Sequence, residues 1–434
     1  MIFGIDPIFA LIPLVLYVIL SFTELNAVLN VFICVIFSAI LTQQPFSSFG
    51  GVIGASLGSF LGMIGLIIML GAGLGAVLQK SGVAEFFVRG LVNKIGVKTE
   101  KRAVITTMLS STILVALLGT LAGANAIIAP IIIPLVAVVG LTPSVVATCF
   151  LGAGLTGMFL GPYTPQVVTI MELTKLSYGT YLVSAGIPLA LVVYLVTFFF
   201  ALRTQKKTIG VYSYDIEEKT DTDVDYKPTQ STKRATLAFT LAIVAMIAYG
   251  IVIKGGASYA IVVITISAIV TGIFSDMKTN ELIDTFIQGA SRLMWLFIMF
   301  ILFNPFIEFI AGAGAFDRLV ELLNPLIDSA GKAGFAVVST LTGIFGIGGA
   351  ATADNIVMDN MFSGVVSNLG ISMNLWALIL LVSGQITSFA YPEADMIGQM
   401  GLARSKDVKN MVKYGLTVVA GSLILVTVMS FILG

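Results

Sequence analysis

The residues able to do chemistry in this chain are few, and their pattern occurs twice. Around Asn125 the sequence reads AGANAIIAP, and 230 positions later, around Asn355, it reads ATADNIVMD. Each is followed by an apolar segment that breaks at a proline, Pro162 in GPYTPQ and, again 230 positions on, Pro392 in YPEAD. Asparagine amide oxygens, carboxylates and the free carbonyls of an interrupted helix are hard oxygen ligands for a small dehydrated cation, and a carboxylate can exchange that cation for a proton. The Na+ candidates are therefore Asn125, Asp354, Asn355 and Asp395, and the substrate or proton candidates are Thr164, Gln166, Asp359 and Glu393. The first group of breaks is neutral and the second acidic. Ionisable side chains at membrane depth are costly and mark functional sites. The chain has no histidine, so proton handling falls to carboxylates, lysine or tyrosine, and zinc or haem chemistry is disfavoured.

The elements that position these groups must be membrane helices. Hydrophobic residues make up 57% of the chain and charged residues 11%, and the mean hydropathy of +1.03 excludes an ordinary soluble domain. Apolar runs recur at the length of about 20 residues that a bilayer core of about 30 Å requires. The N-terminal stretch lacks a basic region and a small-residue cleavage site, which reads as a first span. Cys34 and Cys149 lie in apolar runs, so a disulfide framework is not expected.

The pattern predicts spans at 8–22, 26–44, 52–79, 180–202, 236–253, 258–275, 283–309 and 408–433. Hairpins with arms too short to cross are expected at 104–139 and 335–369, and broken spans at 143–177 and 372–402. The fold class is thus an all-α polytopic membrane protein. It comprises two repeats, 1–202 and 235–434, each with about five transmembrane helices plus one re-entrant hairpin and a broken helix, joined by a polar linker at 203–234. An odd number of crossings per repeat makes the second run upside down, an inverted-topology pair. On that count 18 of the 23 Lys and Arg residues fall on one face, which the positive-inside rule makes cytoplasmic. Localisation to the cell (inner or cytoplasmic) membrane follows, with both termini extracytoplasmic.

Other charged positions carry less. Glu85 and Asp317, at matching places in SGVAEFFVRGLVNKIG and AGAFDRLVELLNPLID, suit interfacial amphipathic helices with charges facing water. Glu172 and Lys175 suit a local surface pair, Arg292 a snorkelling side chain, and Glu308 an interfacial position. GAGLGAVLQKSG imitates a dinucleotide fingerprint but lies in a membrane span with no preceding strand.

These features carry a family likeness. Two halves of five spans plus a hairpin, Asn-containing tips and Pro-broken helices resemble the ion transporter superfamily. Within it, LGAGLGAVLQKSGVAEFFVRGLVNKIG and the first hairpin are similar to NhaC-type Na+/H+ antiporter proteins and their gluconate-permease-like relatives. In this chain the first broken helix reads GPYTPQVV, where that family pattern would carry an acidic, serine-rich stretch. The resemblance implies an alternating-access carrier and a homodimer in membrane lipid. Na+ and/or H+ would be coupling ions, with no other cofactor. The expected function is secondary active transport of a small ion or small polar solute, with Na+/H+ antiport the leading form. The alternative is Na+- or H+-coupled symport of an amino acid or small organic acid, its carboxylate held at the neutral first-half site. No enzyme activity and no nucleic-acid partner are expected.

Overall fold

The structure is a computed structural model that describes residues 4–214, 227–253, 255–346 and 351–434, residues 22 and 24 excepted. Among the described residues it is all helix, with no strand: α1 (Ile12–Ser21), α2 (Ala27–Leu41), α3 (Phe49–Ser56), α4 (Phe60–Lys80), α5 (Val83–Ile95), α6 (Glu100–Leu118), α7 (Leu121–Val138), α8 (Pro143–Leu160) and α9 (Pro165–Thr174). There follow α10 (Tyr178–Thr208), α11 (Gln230–Val252), α12 (Tyr259–Phe274), α13 (Thr279–Ser291), α14 (Met294–Gly312), α15 (Ala315–Gly346, two helical stretches that meet at a non-helical Gly331), α16 (Ala351–Asn368), α17 (Met373–Ala390), α18 (Ala394–Leu402) and α19 (Val408–Leu433). Nine of these are long and apolar enough to cross a membrane, and the chain is a multi-pass membrane protein.

Local chemistry sets the boundaries. Side chains of Asn26, Ser59, Thr99, Thr229, Ser372 and Asp407 cap the starts of α2, α4, α6, α11, α17 and α19, satisfying amides that have no partner within the helix. Prolines open α8 and α9, where the missing N–H costs nothing. Gly119, at φ +66°, ends α6 in the left-handed conformation that favours glycine. The chain turns there, and α7 begins two residues later.

The structure changes several boundaries drawn from sequence. The arms of the first hairpin, α6 and α7, are both of spanning length, about 27 Å for 18 residues. Asn125 does not interrupt the helix but lies in the second turn of α7, so the reversal falls at Gly119–Thr120 instead. Residues 347–350, which the sequence makes the second tip, lie outside the described residues. Asp354 and Asn355 lie at the start of α16. The expected spans 52–79 and 283–309 are both broken, between Ser56 and Phe60 and between Ser291 and Met294. Ser59 offers its hydroxyl oxygen to the Gly62 amide at 3.1 Å and restarts the first of these. The linker is shorter than 203–234, because α10 continues to Thr208 and α11 begins at Gln230; residues 215–226 lie outside the described residues.

Two pairs of helices keep the 230-residue offset at both ends: α7 with α16, and α8 with α17. α8 and α17 are the most buried spans. α8 packs between α6 and α10, α17 between α15 and α19, and α10 lies against α19. A second grouping forms around α4, which packs on α12, α13 and α14, while α14 also packs on α2. The short helices after the breaks cross between the halves. α9 packs on α16 and α17, and α18 packs on α7 and α8.

Candidate functional site

The first tip docks on the first break: Gly119 lies close enough that a Cβ there would meet Pro165 and Thr164 at 3.7 Å. One turn into α7, buried Asn125 uses both ends of its amide on protein. Its Oδ1 accepts from Ser111 Oγ at 2.7 Å, and its Nδ2 donates to the Phe150 carbonyl at 3.0 Å and to Gln399 Oε1 at 2.7 Å. The sequence offers Asn125 as a cation ligand; the structure makes it a brace between the first hairpin and α18 of the second half.

The carbonyls at the first break are also taken. The last carbonyls of α8 would be orphans at a helix end, yet each accepts from a side-chain hydroxyl. Thr164 Oγ1 is shared between Met158 O at 2.8 Å and Gly161 O at 2.9 Å. Tyr181 Oη donates to Phe159 O at 3.0 Å, and Tyr178 Oη to Leu160 O at 2.6 Å. Thr164 is therefore a cap. The Tyr178 and Tyr181 caps went unnoticed in the sequence, where the only signal is a pair of tyrosines three apart just after the broken span.

The second half is built on the same frame and left open. Asp354 is 1% exposed, and neither carboxylate oxygen has a hydrogen-bond partner among the described residues. Asn355, fully buried, has no partner at Oδ1 or Nδ2 among them either. Gln166 reaches this place from α9 of the first half: its Oε1 accepts from Thr352 Oγ1 at 3.4 Å, and its Nε2 has no partner among the described residues. Asn355 Oδ1, the Ala351 carbonyl and Gln166 Nε2 converge on the bare face of Gly384 in α17. A Cβ at Gly384 would lie 2.5, 2.7 and 2.9 Å from them. On either side of Gly384, Ser383 Oγ and Gln385 Oε1 are buried and likewise without partners among the described residues. Buried polar atoms almost always find partners, and each one left without costs about 1–3 kcal/mol. So many around one glycine mark a place built for something polar.

The remaining candidates are dispersed. Asp395 accepts from Ser388 Oγ at 2.9 Å across the second break, and Glu393 precedes α18 half-buried without capping it. Asp359, further along α16, accepts from Trp376 Nε1 at 2.7 Å. Among the described residues no three of Asp, Glu, Cys and His gather as a metal-ligating group, so a three-carboxylate cluster does not form and Asp354 stands as a single buried acid. Gln399 and Gln166 face opposite hairpins, each supplied by the other half. Glu85 pairs with Arg89 at 2.8 Å, Glu172 pairs with Lys175, and Asp317 and Arg292 are exposed. Glu308 accepts from Asn304 at 2.8 Å.

The family model of the Na+/H+ antiporter family matches residues 7–162, the segment that carries the first hairpin and the start of the first break. No curated protein matches the chain. Among solved structures it is similar to MtrF of Neisseria gonorrhoeae, described with a class of antimetabolite efflux pumps, at 16% identity and a TM-score of 0.67 over 97% of this chain and 98% of that one. It is also similar to the YdaH transporter of Alcanivorax borkumensis, described as having an unusual topology, at 14% identity and a TM-score of 0.65 over 92% of this chain and 97% of that one. The fold is thus one used by membrane transporters.

Proposed function

We propose that this chain is a secondary active transporter coupled to Na+ and/or H+, working as a Na+/H+ antiporter, with one cation site at the start of α16. The observation that carries the reading is Asp354, a buried carboxylate whose two oxygens, like the neighbouring amide of Asn355, have no partner among the described residues. An unpartnered charge in a dry interior is expensive, and a bound cation or a proton offsets that cost. Exclusive occupancy by one or the other is the competition antiport needs. Asp354 Oδ and Asn355 Oδ1 supply hard oxygen ligands, and the chain has no imidazole to favour a softer metal. The first half takes no cation in this reading, because hydroxyls already occupy the carbonyls of its break.

The matching offsets of α7/α16 and α8/α17 support reading residues 1–202 and 235–434 as inverted repeats, with the Lys- and Arg-rich face cytoplasmic. The family match over residues 7–162 and the transporter folds named above support transport without covalent chemistry. The test is a pH-reporting dye inside proteoliposomes. Adding Na+ or Li+ outside should alkalinise the lumen, as cation entry drives proton exit, and Asp354→Asn should abolish the response. Silence across pH 6 to 9 from folded wild-type protein would remove the antiport reading.

A further inference from the structure

A cavity of about 590 Å³ opens on the other side of the first break, between α9, the start of α10, and α11–α12, lined among others by Tyr163, Tyr178, Tyr259, Met171, Glu172 and Lys175. Its size is that of a small-molecule site. None of the candidate cation residues lines it.

Its aromatic walls are held in place. Tyr259 Oη donates to the Met246 carbonyl at 2.9 Å. Its ring lies on bare backbone: a Cβ at Gly250 would come within 2.6 Å of the ring, and one at Gly255 within 2.9 Å. Tyr178 is fixed through its bond to Leu160 O. Tyr163 and Tyr259 stand edge to face with centroids 6.4 Å apart, and the Tyr163 hydroxyl makes no hydrogen bond among the described residues. Rigid tyrosines offer large contact area with little ordering cost on binding. At the rim, Glu172 and Lys175 neutralise one another as an ion pair, so the lining carries no net charge.

The geometry points to a binding site for a small, planar aromatic solute without net charge, its ring against Tyr163 and Tyr259 and a polar substituent at the Tyr163 hydroxyl. An acyl chain is a poorer occupant, because it would bury the Tyr163 hydroxyl and the ion pair without giving them a partner. The inference stands apart from the cation site, and its test can fail without touching that reading.

The test is saturation-transfer NMR titration of the full chain in nanodiscs with phenol, cyclohexanol and benzoate. These separate aromatic character and charge at nearly constant size. Phenol should bind saturably and at least tenfold more tightly than either of the others. Met171→Trp, which crowds the cavity, and Tyr163→Ala, which removes one wall, should each weaken phenol at least tenfold. Met171→Trp should keep the wild-type elution profile and melting temperature, showing an intact fold, and Asp354→Asn should still bind phenol. Equal binding of cyclohexanol, non-saturable uptake, displacement of phenol by added phospholipid, or phenol binding unchanged in both cavity variants would each overturn the proposal.

Discussion

Asp354→Asn isolates the charge at the heart of the site. The substitution keeps volume and planarity, and it replaces a buried carboxylate that has no partner among the described residues. A unit charge about 4 Å from a cation is worth roughly 4 kcal/mol at the effective dielectric appropriate to protein sites. By the conversion of about 1.4 kcal/mol per tenfold, losing it weakens Na+ by about a thousandfold. The effect on stability follows by mass action. At a Na+ concentration one hundred times its dissociation constant, the wild type gains about 2.7 kcal/mol from binding. With affinity a thousandfold lower, the same Na+ gives the variant about 0.1 kcal/mol or less. Thermal unfolding in detergent, with choline replacing Na+, should therefore show a Na+-dependent rise in the wild type and none in Asp354→Asn. In choline alone the variant should melt no lower than wild type, since a buried uncompensated acid has been neutralised. A variant that kept the wild-type Na+ midpoint, or that melted well below wild type in choline, would refute the reasoning.

Gly384→Ala should reduce Na+ affinity at least tenfold in the same melting assay, because its Cβ would sit 2.5 Å from Asn355 Oδ1 and 2.7 Å from the Ala351 carbonyl. Thr164→Val strips the shared cap from Met158 O and Gly161 O and should cost about 1–3 kcal/mol of stability, with the Na+ midpoint in proteoliposomes unchanged. Asn125→Ala strands Ser111, Phe150 O and Gln399; it should destabilise by about 2–3 kcal/mol while a Na+-dependent melting shift persists. Glu85→Gln and Asp317→Asn should leave transport within twofold of wild type, since one carboxylate sits in a partly exposed surface pair and the other faces solvent.

How far the sequence could be read depended on whether a signal was local. Pro162 and Pro392 stand just past helix ends in the turn-forming runs GPYTP and YPEAD, whereas Pro130, Pro134 and Pro305 are carried inside helices; with the 230-residue offset of the polar groups, that context is a property of the chain alone. The paired boundaries of α8 and α17 were accordingly legible to within a few residues. Asn125 misled because a single asparagine tolerates a helix interior. The turn instead belongs to Gly119, the residue able to take a positive φ there. The breaks ahead of α4 and α14 lack a proline; their local signals, Gly58 and the cap Ser59 in one and Ser291–Arg292 in the other, are short and sit inside long apolar runs. The cross-pairing was invisible for a different reason. Gln399 meets Asn125 across 274 residues and Thr352 meets Gln166 across 186, and each of these residues has an ordinary local context. Only packing decides that α9 serves the second hairpin and α18 the first.

That crossing bears on how the two halves divide their labour. A duplicated frame would by default give two equivalent sites, one at each hairpin. In the first, the asparagine and the helix end have found protein partners: Asn125 through Ser111, Phe150 O and Gln399, and the end of α8 through Thr164, Tyr178 and Tyr181. In the second, the equivalent asparagine has none among the described residues, and an acid absent from the first tip stands beside it. Satisfied buried networks rigidify, whereas unsatisfied ones await a ligand. If the open site takes the coupling ion, the first half would serve as its wall, contributing Gln166 from α9. A cation bound at Asp354 would sit between the halves, so its loss or gain would act on their packing, which is where a carrier must feel its coupling ion.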